Sequence, residues 1–332
     1  MNKQEIVTTL IGKKKRPQKS SGEAFAPSNI ALCKYWGKRQ EQLILPVTNS
    51  LSISLGNKGT YTKIELSSLP KDEVYLNSFV VEPTNRLYIA LVEFLDVFRP
   101  AGVCFKVTTD SNIPIAAGVA SSASGFASVI KALNDLFTWS LPGRSLSILA
   151  RLGSGSASRS LWHGFVEWNA GEDDENGLDS FATPLTYLWP QLRIGLLLFS
   201  TKPKHISSRV AMVATTSTCP FYSLWPARIT AAIADIKAAM QVHDFAKFGT
   251  ITENNALEMH ALMLSTKPPI IYSTADTIWG MEQVWQARKQ GIEVYFTQDA
   301  GPNLKLLFLE QDQAIIKNIF PMMEVVEPFK EI

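Results

Sequence analysis

Four short stretches of the chain hold side chains of types that do chemistry. Asp299 follows an apolar run and stands in Gln298-Asp299-Ala300-Gly301-Pro302-Asn303. There Gly301 and Pro302 would hold the carboxylate at the end of a strand, a rigid place of the kind that catalytic groups need. The same residues also read as an ordinary turn in which the aspartate bonds its own backbone. Ala117-Gly118-Val119-Ala120-Ser121-Ser122-Ala123-Ser124-Gly125 is a run of small side chains followed by helical spacing. Such a run lets consecutive backbone N–H groups converge on a phosphate, with serine hydroxyls and a helix N-terminus adding to the attraction. Its plainer reading is a loop that starts a core helix. Gly153-Ser154-Gly155-Ser156-Ala157-Ser158-Arg159 is a second small-residue loop, now carrying a fixed cation that can grip a carboxylate through two parallel hydrogen bonds. Lys34-Tyr35-Trp36-Gly37-Lys38 gathers two cations and two aromatics; the alternative is a core Trp with snorkelling lysines.

The elements that must position these groups are legible in part. Leu51, Ile53 and Leu55 alternate with serines, Gly56-Asn57-Lys58-Gly59 has turn chemistry, and Thr60 to Leu66 is rich in β-formers, so a hairpin is expected. Leu87, Leu91, Phe94, Leu95 and Phe98 share one helical face after Arg86, and Val103, Phe105 and Val107 alternate like a strand. Phe126, Val129, Ile130, Leu133 and Leu136 place a helix behind the first loop, and Ser145 to Arg151 is a short helix candidate. Strand, small-residue loop and helix in that order is the context a phosphate cradle needs, although the sequence is not a Walker loop. Leu188-Trp189-Pro190-Gln191 reads as a crossing segment, Ile194 to Phe199 as a buried strand, and helices dominate from Pro226 to Leu264. Ile292 to Thr297 and Leu304 to Leu309 read as strands that flank Asp299.

With 332 residues, 46% hydrophobic and 19% charged, the chain can bury one large or two ordinary cores. Lys+Arg 32 against Asp+Glu 30 leaves a net charge of +2, which excludes a global field for nucleic acid or anionic membrane. Any anion site must therefore be local. No apolar run reaches the roughly 18 residues that cross a bilayer, and Ile6 to Ile11 is too short for a signal peptide, so the cytoplasm is expected. Cys33, Cys104 and Cys219 fit reduced thiols in the core. Lys13-Lys14-Lys15-Arg16 marks a basic leader over residues 1–23, read as a solvated tail because no aromatic interleaves it. The four histidines show no metal-ligand spacing and receive no catalytic role.

Taken together, the motifs resemble those of the diphosphomevalonate decarboxylases of the GHMP kinase superfamily, from Ala24 to the end. The opening motif stands as Ala26-Pro27-Ser28-Asn29-Ile30-Ala31 with Lys34 to Lys38, and a Leu-Pro-x-x-x-Ser element as Leu45 to Ser50. The phosphate loop, Gly153 to Leu161, and Asp299 to Asn303 follow in order. Ser207-Ser208-Arg209-Val210-Ala211-Met212 matches a bacterial Pro-Ser-Arg-x-x-Met pattern with its proline replaced. Gln298 before the aspartate, Trp162-His163 and the long leader depart from the pattern; the first two are expected to alter pocket polarity and loop flexibility.

The resemblance implies an α+β, two-lobed fold with lobes at 24–190 and 191–332 and the active site in the cleft between them. It implies a homodimer that uses ATP and Mg²⁺ to phosphorylate the 3-hydroxyl of mevalonate 5-diphosphate, then loses phosphate and CO₂ to give isopentenyl diphosphate. Asp299, Arg159 and Lys34 would be catalytic. Tyr35, Lys38, Arg86, Ser154, Ser156, Ser208 and Arg209 would join Arg159 in holding substrate. Asn112, Gly118, Ser121, Ser122, Ala123, Ser124 and Gly125 would hold ATP, with Ser122 also facing Mg²⁺. Two other readings stay open: an enzyme that acts on the monophosphate or only phosphorylates the 3-hydroxyl, and an inactive ligand-binding sensor. Retention of both Lys34 and Asp299 argues against a kinase-only relative, Arg86, Ser208 and Arg209 argue for the longer diphosphate, and the undisturbed catalytic positions argue against an inactive sensor.

Overall fold

The computed structural model describes residues 1–12, 16–113, 121–202 and 204–330, with the backbone but not the side chain of Ser121. Lys13 to Lys15, the approach Pro114 to Ala120 with Gly118, and Pro203 lie outside the described residues.

The chain opens with helix α1 (Lys3–Ile11), closed at its start by a reciprocal Asn2–Glu5 capping box. Ile6, Val7 and Ile11 are buried in the same cluster as Leu91, Leu95, Ile148 and Leu152. The leader is thus not a solvated tail over its first turns: three apolar residues at helical spacing give it a face to bury, and a basic run downstream does not cancel that.

A long ribbon follows, made by β1 (Ser21–Cys33) and, after the short strands β2 (Lys38–Gln40) and β3 (Leu45–Pro46), by β4 (Ser50–Leu66). The expected hairpin at Gly56–Gly59 does not form. β1 pairs with both halves of β4, Pro27 facing Gly59 and Asn29 facing Ser54, so the turn-forming residues bulge out of one strand and do not reverse it. Gly56, at φ +57°, absorbs the kink. A neighbouring strand long enough to template both halves decides between these outcomes, and local turn propensity does not report it.

Beyond β4 come β5 (Glu73–Leu76), β6 (Phe79–Val80), α2 (Arg86–Asp96) and β7 (Phe105–Ser111). Helices α3 (Ser121–Leu136) and α4 (Gly143–Arg151) precede a 3-10 turn (Gly155–Arg159), β8 (Phe165–Trp168) and β9 (Ala182–Pro184). Among the described residues the first sheet has the order β6-β5-β7-β4-β8-β9, with β1 on β4. Helix α3 lies across it, fixed by hydroxyl pairs between Ser124 and Ser28 (2.9 Å), and between Ser128 and Thr62 (2.7 Å). Gly22 makes this approach possible, because a Cβ there would lie 2.3 Å from the carbonyl oxygen of Ala132.

The second half holds β10 (Leu192–Leu197), α5 (Ser208–Thr218), α6 (Trp225–Gln241), α7 (Phe245–Leu264) and α8 (Ala275–Lys289). It ends with β11 (Val294–Gln298), β12 (Leu304–Leu309), α9 (Gln313–Ile319) and β13 (Glu324–Val326). Its sheet is antiparallel throughout, in the order β11-β12-β10-β13. One buried cluster joins Ile30, Leu51 and Phe165 of the first half to Ile194, Phe248 and Leu307 of the second. The two α+β halves therefore pack on a shared core, and the strand ends β1 and β11 meet across it.

Candidate active site

A cavity of about 650 Å³ opens where these strand ends meet, lined by residues of both halves. Asp299 enters it from the turn after β11. That turn is held at several points: the Gly301 N–H donates to the Asp299 carbonyl (2.7 Å), His260 Nε2 lies 3.2 Å from the same oxygen, and Gln298 Nε2 donates to Gly301 O (2.8 Å). Asn303 adds a paired link to Ser200, at 2.9 and 2.8 Å. Gln298 is 1% exposed and belongs to this turn; it does not line the cavity, so the expected effect on pocket polarity is not realised through it. Burial and nearby Lys34 push the His260 imidazole down to about 4, so it is neutral at working pH.

Lys34 sits just beyond β1, its backbone N–H donating to Asn255 Oδ1 on α7 (2.7 Å). Its ammonium is not at the surface. It is 2% exposed and donates to Ala31 O (2.8 Å), Thr297 Oγ1 (2.6 Å) and Asp299 Oδ1 (2.9 Å), which rules out the snorkelling alternative for this lysine. Burial lowers the Lys34 pKa, and the Asp299 charge works against that fall. Lys305 Nζ meets the other carboxylate oxygen, Oδ2, at 3.0 Å. Burial by itself raises the Asp299 pKa, but the charges of Lys305 and Lys34 outweigh it and hold the carboxyl well below the usual range.

Arg159 closes the 3-10 turn and is 3% exposed. Nη1 donates to Ser50 Oγ at 2.6 Å and Nη2 to Asn29 Oδ1 at 3.4 Å. The guanidinium lies 5.9 Å from the Trp168 ring centroid. Among the described residues its buried Nε has no protein partner, and neither has the buried hydroxyl of Tyr35, whose ring packs edge-on against Trp168 at 4.8 Å. Burial brings the Arg159 pKa down to about 10, still cationic, with Asp299 opposing the shift. Unpartnered buried donors at a cavity wall are groups that a polar ligand would satisfy.

Three helix N-termini face the same space. Arg86 begins α2, Ser122 lies in the first turn of α3, and Ser208 with Arg209 begins α5, where Ser207 caps Val210 N at 3.3 Å. Each brings the positive end of a helix dipole to a region already holding Lys34, Lys38, Arg159 and Lys204. Ser154 and Ser156 also line it, their hydroxyls 3.3 Å apart, while Lys38 pairs with Glu41 at its rim (2.6 Å). A chain of net charge +2 thus concentrates cations in one cleft.

Two expected nucleotide contacts are not brought there. The Ser124 hydroxyl is buried and bound by Ser28 and by Thr60 Oγ1 (2.7 Å), so it fastens α3 to the sheet. Asn112 accepts from Gly59 N and donates to Asn57 O, both at 2.8 Å, beside a separate surface cavity near Asn77 and Tyr61. Ala123 is buried and Gly125 half-buried within α3, so what they offer is small size at the helix start. Gly118 and the Ser121 side chain lie outside the described residues.

Several site residues were not singled out from sequence. Lys305 and Lys204 stand near Asp299, Thr297 bonds Lys34, and His205 lines the cavity. Only Lys305 left a signal: a lysine inside Leu-Lys-Leu-Leu-Phe-Leu has no solvent to reach if that strand is central.

Comparison with known proteins agrees with this geometry. Residues 26–182 match the diphosphomevalonate decarboxylase-like N-terminal domain, and residues 194–331 the mevalonate 5-diphosphate decarboxylase C-terminal domain. Diphosphomevalonate decarboxylases of Rattus norvegicus and Homo sapiens are each 36% identical, over 92% and 87% of this chain and 82% and 77% of theirs. The solved mevalonate diphosphate decarboxylase from Staphylococcus aureus superposes with a TM-score of 0.86 at 35% identity, covering 93% of this chain and 95% of that one. A structure described as MDDEF in complex with MVAPP, AMPPCP and magnesium gives 0.87 at 35% identity, over 92% and 96%. By motif order, fold and cleft alike, the chain belongs to the diphosphomevalonate decarboxylase family.

Proposed function

We propose that this cleft performs the ATP-dependent decarboxylation of mevalonate 5-diphosphate to isopentenyl diphosphate, through phosphorylation of the 3-hydroxyl. The observation that carries the reading is a carboxylate held between two buried ammonium groups, facing a buried arginine in a cavity rimmed by cations. A tertiary hydroxyl is a poor leaving group, so phosphorylation must precede loss of CO₂.

The chain's own groups divide the work. Asp299 accepts a hydrogen bond from the 3-hydroxyl and aligns it, and takes its proton late, because phosphoryl transfer through a loose transition state asks mostly for positioning. Lys34 offsets charge on the transferring phosphoryl oxygens. Arg159, pinned by Ser50 and Asn29, grips the substrate carboxylate with its remaining donors and fixes the direction of the bond that breaks. The diphosphate is met by Tyr35, Lys38, Arg86, Ser154, Ser156, Ser208 and Arg209.

The exposed Ser122, at the start of a 16-residue helix and in the same cavity wall as Gly153 to Ser156, supports a nucleotide phosphate chain bound there. Among the described residues no group of three His, Cys, Asp or Glu could hold a metal, so Mg²⁺ would sit on phosphate oxygens with Ser122 as a side-chain contact. ATP with Mg²⁺ supplies the phosphoryl group and neutralises its charge.

The gap between β9 and β10 supports lobes at 24–190 and 191–332. Family resemblance supports a cytoplasmic homodimer without a nucleic-acid partner; among the described residues no helix is long and apolar enough to cross a membrane. ATP-dependent CO₂ release, measured with the mono- and the diphosphate, tests the substrate. Faster release from the diphosphate is expected, and faster release from the monophosphate would overturn that choice.

A further inference from the structure

Lys305 is 1% exposed, on β12 between its neighbours β11 and β10. In the β11–β12 ladder it lies directly opposite Thr297, and directly paired residues share one face of a sheet. Thr297 accepts from Lys34 on that face, so the ladder sends the Lys305 stem towards the end of β1, where Asp299 is. An ammonium taken out of water costs stability, and an apolar side chain would fill such a position in a sheet at least as well. The charge is therefore explained by what it touches.

We propose that Lys305 is a positioning residue for the reaction: it holds Oδ2 of Asp299, turns the carboxylate towards the hydroxyl of the bound substrate, and keeps it an acceptor until late in phosphoryl transfer. This rests on the role given to Asp299 above. The charged and titratable groups around that carboxylate come from five places. They are Lys34 beyond β1, Lys305 on β12, Arg159 on the 3-10 turn, Lys204 after β10, and His260 on α7, which bonds the backbone oxygen. Lys34 and Lys305 alone bond the carboxylate oxygens among these, one to each. Removing Lys305 frees one oxygen to rotate, and leaves the group a stronger base in the wrong orientation.

Full-length Lys305→Met and Lys305→Arg test this through CO₂ release and through ¹³C titration of the aspartate carboxyls. The Asp299 signal is identified by its absence in Asp299→Asn. In Lys305→Met, kcat should fall roughly 10²-fold with little change in KM for either substrate. The Asp299 midpoint should rise by about one pH unit or more, and Lys305→Arg should recover part of both. An unchanged kcat or an unchanged midpoint in the Met variant overturns the proposal. If that variant does not fold, Lys305→Arg decides: a lowered kcat at unchanged KM together with a shifted Asp299 midpoint supports the proposal, and wild-type values of both overturn it. The titration needs no turnover, so wild-type protein that releases no CO₂ from the diphosphate would refute the assigned reaction while the Lys305–Asp299 pairing is still tested.

Discussion

Lys34 Nζ lies 2.9 Å from Asp299 Oδ1, although 265 residues separate them in the chain. The contact joins the end of β1 to the end of β11, and so makes one site from two sheets.

Asp299→Asn keeps the shape and removes the charge. Turnover should drop by roughly 10² to 10⁴, with substrate binding retained, as read from kcat against the Kd of the diphosphate. Near-normal turnover would remove Asp299 from its proposed role.

The same substitution should carry a pH-dependent stability cost. Asp299 has a folded pKa depressed below its unfolded value, so its contribution is fully present above about pH 4 and is lost as pH falls through the folded value. Urea unfolding of wild type and Asp299→Asn should differ by about 3 kcal/mol at neutral pH, and the difference should shrink only in strong acid. A gap that closes already between pH 7 and 5 would contradict the ion-pair assignment.

Arg159→Lys is not a mild change. One ammonium cannot reach Ser50 and Asn29 and also offer paired donors to a carboxylate. A fall in kcat/KM of roughly 10²-fold is expected, measured as CO₂ release at saturating ATP.

Ser122 and Ser124 are two residues apart but should behave differently. Ser122→Ala should raise KM for ATP. Ser124→Ala should cost about 1 kcal/mol in unfolding experiments with KM for ATP unchanged, since its hydroxyl binds Ser28 and Thr60.

The leader should contribute to the fold. Ile6 is fully buried, so Ile6→Ala should cost about 2–4 kcal/mol in urea unfolding. A loss within experimental error would mean that α1 is not docked in solution.

Local pattern was enough for the elements around the site: the helical spacing behind the serine loop became α3, and the apolar runs flanking Asp299 became β11 and β12. The failures share one physical origin. Gly56–Gly59 became a bulge because β1 spans both halves of β4, and Ser124 turned inward because α3 crosses that sheet. Lys305 acquired its role only through pairing with β11. The first two outcomes depend on partners distant in sequence and the third on the register between adjacent strands, none of which periodicity and spacing report. Lys34 shows the same limit: its residue type suited a snorkelling lysine and a buried one equally, and Asp299 decided between them.

The central claim is that a carboxylate from the second half meets a phosphate-binding surface from the first across one small, cationic cleft. A crystal structure with mevalonate 5-diphosphate and a non-hydrolysable ATP analogue tests it most directly. The account expects the 3-hydroxyl within hydrogen-bonding distance of Asp299, the substrate carboxylate on Arg159, and the terminal phosphate of the analogue beside Ser122 and in line with the hydroxyl. A 3-hydroxyl turned away from Asp299, or a nucleotide bound outside this cleft, would contradict it.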